Sequence, residues 1–413
     1  MGLLSELREE NKKSGLFDSH DLGFSYRLGV PVLDQNLGSK QRIKTNTGEI
    51  IEQVQLGVPA GTITIFAGPP SSGKTTQAIQ SAWNIVSQFG EDATVEHYDK
   101  ERSMTLQRVK ALTGATNMEL NEQYHLDTED MTFEGILERM SLIGIKKQSD
   151  PDRFKYNTGF KDIFGHDIIH YVPTVVIVDS LMGITSRDEK IDELDGSTDA
   201  MRRAQKRGNW LRDCTELCGR YNINMFIINH IHDQVTMPGK SGAKQLVYMP
   251  SGKVMPGGEK VLYYITSLIV MIPRTAKDTI KTAEDNGYYG SPINALVSKS
   301  RSSRGGTVAT LELVQDSGFD PKLTLKNFAK SRDLIQGRNP KCYFKGYDDV
   351  KFDDRIFVTE MENNPELIRT LFKVCKPELD SLIPDAIDDD DTDILRSPSA
   401  KINDRNLMKE FGI

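Results

Sequence analysis

The run GPPSSGKTT, from Gly68 to Thr76, matches G-x-x-x-x-G-K-[ST] and lies between an apolar stretch, GTITIFAG, and a helical one, KTTQAIQSAWNIVSQFG. A strand, a glycine loop and a helix in that order make a phosphate cradle. Gly68 and Gly73 let the backbone curl so that N–H groups converge on phosphate oxygens. The helix start adds about half a positive charge. The whole run, Gly68, Pro69, Pro70, Ser71, Ser72, Gly73, Lys74, Thr75 and Thr76, is expected to hold a nucleotide. Lys74 would reach the β- and γ-phosphates, and the Thr75 hydroxyl would ligate Mg²⁺.

Asp179 ends the apolar run VVIVD. An ordinary strand-terminating acid is the bland reading. Beside a phosphate loop, an acid at that strand end holds the magnesium or its water. Hydrolysis also needs an oriented water, and HYDKE supplies Asp99 and Glu101 as acids to activate it. Strand alternation would put both on one side, so spacing does not choose between them. A second strand, INALVSKSRSSRGG, ends with Lys299 and Arg301 two residues apart. Alternation predicts that they share a face and could serve one anion; solvated strand charges are the plainer account.

These groups need a scaffold. The chain has 413 residues, 38% hydrophobic and 27% charged, a polar but ordinary composition that supports a large core. No apolar run approaches the ~20 residues of a membrane span. The amino terminus, MGLLSELREENKK, is charged where a secretory signal is apolar, so a cytoplasmic protein is expected. Four cysteines make no disulfide framework, and Cys214 and Cys218, one helical turn apart, read as core. Eight acids and no Lys or Arg lie between Glu378 and Asp393, and they bring a chain otherwise near +1 to −7.

Strand-like stretches at GTITIFAG, ATVEHYD, TVVIVDS, INMFIINH, 267–273, 293–300 and 307–314 alternate in part with helical ones at 74–90, 103–114 and 198–218. This predicts an α/β fold, a mostly parallel sheet with helices on both faces. Leu3, Leu4 and Leu7 suggest an amphipathic turn in an amino-terminal arm. The segment after it, GSKQRIKTNTGEIIEQV, reads only as polar. Residues 146–171 read as an insertion, 233–258 as a long loop, and the pattern weakens after about 330.

Together these pieces resemble the RecA family of DNA strand-exchange recombinases, and most closely its phage UvsX-like branch. IFAGPPSSGKTTQA is similar to the family's GPESSGKTT. YDKE resembles the segment whose last acid is the family's catalytic glutamate, which gives that role to Glu101. VVIVDSLMGITSRDE resembles the second nucleotide motif and first DNA loop. MFIINHIHDQ resembles the strand ending in the γ-phosphate sensor; His230 stands there as in the phage branch, where RecA has Gln. LVSKSR resembles the basic pair that reaches the neighbouring subunit's ATP, which supplies Lys299 and Arg301 with their anion. Where relatives stack an aromatic on adenine, this chain has Arg108, whose guanidinium could stack instead. The resemblance covers roughly residues 27–330.

The resemblance implies an ATP- and Mg²⁺-dependent recombinase that forms helical filaments of itself on single-stranded DNA and pairs it with double-stranded DNA. A single-strand-binding protein and a loading mediator would be partners, and the cytoplasm of a bacterial host the location if the protein is phage-encoded. A ring-forming helicase or motor of the same superfamily, and a mediator paralogue with little hydrolysis, are the alternatives. Residues 1–26 would be a polymerisation arm, 27–330 the ATPase core, 331–384 a small carboxy-terminal region and 385–413 an acidic tail competing with DNA for basic surfaces. Candidate DNA contacts are Arg187, Lys190, Arg202, Arg203, Lys206 and Arg207 around one helix, and Lys240, Lys244, Tyr248 and Lys253 in the long loop, where cations beside an aromatic suit single strands.

Overall fold

The computed structural model describes residues 23–44, 48–129, 131–162, 165–188, 199–233, 249–250, 253–255, 266–274 and 290–384. Its centre is a nine-stranded sheet. In chain order the strands are β1 (Ile63–Gly68), β2 (Thr94–Asp99), β3 (Tyr124–Asp127), β4 (Thr174–Asp179), β5 (Ile223–His230), β6 (Thr266–Pro273), β7 (Gly290–Lys299), β8 (Thr307–Val314) and β9 (Gly318–Phe319). Across the sheet they run β9-β8-β7-β6-β1-β5-β4-β2-β3. The pairs from β6 to β3 are parallel, while β7, β8 and β9 continue the sheet antiparallel. The expected mostly parallel α/β architecture is therefore the one adopted.

Burial on both faces explains the uninterrupted apolar runs. All six residues of β1 and all six of β4 are buried. In β4 the side chains alternate between two cores. Val175 and Ile177 pack with Ala78 and Ile79 of helix α1 (Lys74–Val86) and Val109 of α2 (Leu106–Thr113). Val176 and Val178 face the other way and pack with Ile136 and Met140 of α4 (Phe133–Ser149) and with Leu211, Cys214 and Cys218 of α5 (Asp199–Tyr221). The two cysteines are fully buried, as their one-turn spacing suggests. Between α2 and α4, the short helix α3 (Asn117–Gln123) opens with a capping box, Thr116 and Glu119 satisfying each other's backbone N–H.

One sequence expectation is corrected here, and two stretches gain a definite form. Helix α1 stops at Val86, and Gly90, with φ of 63°, opens a short 3₁₀ turn instead of ending the helix. The polar stretch after residue 38 is a hairpin, Ser39–Lys44 against Ile50–Gln55. The expected insertion at 146–171 is the end of α4, a four-residue helix and a second hairpin, Lys155–Lys161 against Asp167–Tyr171. Gln53 joins the two hairpins, its amide donating to the Lys161 carbonyl at 2.8 Å and accepting from the Lys161 N–H at 2.7 Å. Phe24, Tyr26, Phe89, Tyr156 and Phe160 form an aromatic seam beneath the second hairpin.

After residue 330 a three-stranded sheet spans 335–352, and α7 (Pro365–Asp380) closes the described chain. Leu367, Leu371, Cys375 and Leu379 recur every four residues along α7 and join the same core as α6 (Pro321–Ser331). Of the arm, only residues 23–26 are described; Ser25–Tyr26 pairs with Val58–Pro59. The expected turn at Leu3, Leu4 and Leu7 and the tail from 385 lie outside the described residues. Among the described residues, no helix is long and apolar enough to cross a membrane.

Candidate functional site

Strand β1 delivers the chain at Gly68, where a side chain has no room. A Cβ there would lie 2.3 Å from the Met271 carbonyl oxygen and 2.5 Å from Ser72 Oγ. The loop then curls through two left-handed residues, Ser71 with φ of 60° and Gly73 with φ of 78°. Ser72 Oγ donates to the Pro69 carbonyl at 2.9 Å, and Lys74 Nζ donates to the same oxygen at 2.7 Å. The loop thus encloses its own lysine at the first turn of α1, the polarity a phosphate requires.

Gly73 also gives a test. A Cβ at this position would stand 2.7 Å from Phe319 Cζ, and the left-handed backbone alone costs an L residue about 1–2 kcal/mol. Gly73→Ala is expected to lower both the melting temperature and, by more than about tenfold, nucleotide affinity. Calorimetric titration with a non-hydrolysable ATP analogue checks this; unchanged affinity would show that the loop's curl is not what binds.

Thr75 Oγ1 donates to Asp179 Oδ2 at 2.6 Å, so the hydroxyl and acid expected at the metal are already neighbours. Asp179 is 1% exposed, and its other oxygen, Oδ1, is buried with no hydrogen-bond partner. Burial raises its pKa to about 6, repulsion by Glu101 and Asp99 adds to this, and the Thr75 hydrogen bond and Lys74 oppose it. A hydroxyl beside a buried, under-satisfied carboxylate is a donor set that suits a hard divalent cation or its water. Burial lowers the Lys74 pKa, while Asp179 and Glu101 hold it up.

The two acids of HYDKE separate. Strand β2 ends at Asp99, so the alternation that would have put both on one side stops before Glu101. Asp99 is fully buried and accepts the Met104 N–H at 2.7 Å, closing the turn that follows. The Lys100 N–H donates to the Asp179 carbonyl at 2.6 Å, which ties that turn to β4. Glu101 therefore projects into the cleft. Burial pushes its pKa up, but hydrogen bonds from His230 and Ser180 and the charges of His230 and Lys74 outweigh this and hold it below the usual carboxylate value. His230 Nε2 lies 3.1 Å from Glu101 Oε1. Its place follows from register, since His230 is opposite Gly68 across the β5–β1 ladder. The result is a cleft of about 240 Å³ bounded by the loop, Lys74, Thr75, Glu101, Asp179 and His230.

Other expected site residues lie elsewhere. Lys299 is the last residue of β7, and Arg301 lies beyond the strand, so alternation does not set their common face. Burial and then the Arg301 charge depress the Lys299 pKa. Neither borders the cleft. The turn after them docks through the Ser302 and Ser303 hydroxyls on the carbonyls of Leu37 and Asn36. Arg108 gives the edge of its guanidinium to the carbonyls of Gln315 and Asp316, at 2.8 and 2.7 Å, and so fastens α2 to the β8–β9 turn.

Among the described residues, three of the expected DNA-contact cations have partners within the fold. Arg187 is bidentate on Glu138 at 2.8 and 2.6 Å. Lys206 donates to Ser186 and Asp188, and Arg207 lies over the Phe133 ring. An exposed pair such as Arg187–Glu138 contributes only about 0–1 kcal/mol, so phosphate could displace it. Arg202 and Arg203 fall in the first turns of α5, but their side chains, and Lys190, Lys240, Lys244 and Tyr248 altogether, lie outside the described residues. Lys253 is described: Lys253–Val254 pairs with His232–Asp233, so the long loop leaves and returns within three residues of His230. Sequence reasoning missed the Ser180 hydrogen bond to Glu101 and the hold of Asp99 on the Met104 N–H, although both residues stand inside quoted motifs, because these contacts depend on how β2 and β4 end side by side.

No family model matches the sequence. The chain is similar to Protein RecA of Latilactobacillus sakei subsp. sakei (strain 23K), 23% identical over 318 residues that cover 73% of this chain and 76% of that protein.

Proposed function

We propose that the chain is an ATP-dependent DNA recombinase of the RecA family, of the UvsX-like kind, that assembles as a helical filament on single-stranded DNA and promotes pairing with duplex DNA. The observation that carries this reading is the pairing of Glu101 with His230 across a cleft that also holds Lys74 and the Thr75–Asp179 couple. A structural phosphate loop needs neither an ionised acid aimed into the cleft nor a basic group tethering it. The similarity to a RecA protein over three quarters of both chains points the same way.

In this reading the loop from Gly68 to Thr76 holds ATP, and Thr75 and Asp179 would hold Mg²⁺, which would supply positive charge to the phosphates. Glu101 orients and deprotonates the attacking water. His230 meets the γ-phosphate side of the cleft and sits at the root of the 233–253 loop, so its position can pass phosphate status to DNA-binding residues in that loop. Residues 27–330 act as the ATPase core, 1–26 as the assembly arm, and 331–384 and 385–413 as the carboxy-terminal region and tail.

Lys74→Ala tests the reading. The variant is expected to keep its circular dichroism spectrum, to lose ATP turnover, and to form no filaments in negative-stain images with single-stranded DNA and a non-hydrolysable ATP analogue. The unaltered chain should form open helical filaments. Closed rings, or turnover unaffected by the substitution, would overturn it.

A further inference from the structure

A second cavity, of about 900 Å³, opens far from the phosphate loop, between the two hairpins and α7. Phe24, Val54, Leu56, Phe89, Phe160 and Phe372 give it an apolar wall. Val54 and Phe372 are 43% and 42% exposed, unusual for side chains of their size gathered at one place. Three cations border it, Arg27, Lys373 and Lys376, beside two acids, Asp34 and Asp380, the second of which is paired with Lys376 at 2.8 Å.

We propose that this groove receives the chain's own segment 385–395, DAIDDDDTDIL. Three observations favour that occupant. The first is where the described chain ends. Ile383 is buried near Gly38; a Cβ on Gly38 would be 3.0 Å from the Gln35 carbonyl oxygen and from Leu56 Cδ2, both groove residues, and 3.2 Å from Ile383 Cγ1. Leu379 and Asp380 themselves line the groove, so the segment begins five residues beyond its lining. The second is charge: six aspartates would face a rim in which three cations, Arg27, Lys373 and Lys376, outnumber two acids, Asp34 and Asp380. The third is pattern, because Ile387, Ile394 and Leu395 bracket the acids and could enter the apolar wall.

Length and tethering agree. Eleven residues reach up to ~36–40 Å when extended. A short tether gives an effective concentration on the order of millimolar, so a segment with a free Kd of about 100 μM would fill the groove roughly nine-tenths of the time. The tail is then a built-in occupant that another acidic, apolar segment would have to displace. This inference is independent of the nucleotide chemistry.

The test labels the groove in the full chain. The four native cysteines are all buried, so Gln88→Cys, on the groove's edge, supplies a selective thiol. Its reaction with a maleimide is expected to be at least fivefold faster when Ile387→Asp, Ile394→Asp and Leu395→Asp are added, with a rate independent of protein concentration in both chains. Equal rates would overturn the proposal, since the groove would then be open. Acceleration by Leu3→Asp, Leu4→Asp and Leu7→Asp instead would assign the groove to the amino-terminal segment. Protection that fades on dilution would assign it to the tail of another copy.

Discussion

Glu101→Gln is expected to bind ATP as the unaltered chain does and to hydrolyse it about 10²–10⁴-fold more slowly, the usual worth of a positioned general base. The amide keeps the size of the side chain and can still accept from His230, so the cleft should keep its shape. It cannot take a proton. The carboxyl it replaces is held below the usual carboxylate pKa by its hydrogen bonds and neighbouring charges after burial is overcome, so it is ionised at neutral pH and available as a base. With hydrolysis slowed and binding kept, filaments on DNA should also persist longer. Nucleotide titration, single-turnover hydrolysis and filament lifetime measure the three effects. Asp99→Asn is the discriminating control. Asp99 has no exposure and spends one oxygen on Met104 N–H, so its loss should act by loosening the turn that carries Glu101. Normal hydrolysis by Glu101→Gln together with loss in Asp99→Asn would mean that the wrong acid has been assigned.

That pair of acids shows what could be read from sequence and what could not. The phosphate loop and Asp179 are legible because strand, loop and helix follow one another locally, and each needs particular residue types. The choice between Asp99 and Glu101 is not local. It depends on β2 ending at Asp99, which the bond from Lys100 N–H to the Asp179 carbonyl on the neighbouring strand helps to fix. The same limit hid α3, β3 and much of α4, between residues 117 and 149. Their buried positions, such as Leu120, Tyr124, Ile136 and Met140, are spread thinly among exposed residues, and Met118, Leu142 and Ile145 are apolar yet exposed. Periodicity is blurred on both counts, although the Thr116–Glu119 capping box was present as a signal. The two hairpins were invisible for a related reason. Their strands alternate in burial, but the inward positions are polar or mixed, Gln53 and Gln55 in one and Tyr156, Thr158 and Phe160 in the other, and Gln53 finds its partner far away in sequence at Lys161.

Lys299 and Arg301 are expected to act on a nucleotide held by another copy of the chain, and sheet topology supplies the reason. Strand β1 runs up to the phosphate loop at Gly68, and β6 runs parallel to it. Strand β7 runs the opposite way. Lys299 pairs with Leu268, and Leu268 with Ile65, three residues short of Gly68. At about 3.3 Å per residue and 4.8 Å per strand, Lys299 begins roughly 10 Å below the loop and 10 Å to its side. Arg301 lies beyond the end of the strand. The Lys299 side chain does not span that gap, and neither residue borders the chain's own cleft. A double variant, Lys299→Ala with Arg301→Ala, should therefore bind ATP as a single copy about as well as the unaltered chain. It should lose DNA-stimulated hydrolysis, by about 10³–10⁵ if the pair contributes as trans-acting arginines do. Mixing gives the decisive result. Lys74→Ala chains lack a working loop but keep both cations; the double variant keeps the loop and lacks the cations. A junction that joins the loop of the second to the cations of the first is complete, so mixtures should hydrolyse ATP although neither variant does so alone, with a maximum at intermediate ratios. Co-assembled mixtures that recover no activity at any ratio would reduce SKSR to the charged end of a strand.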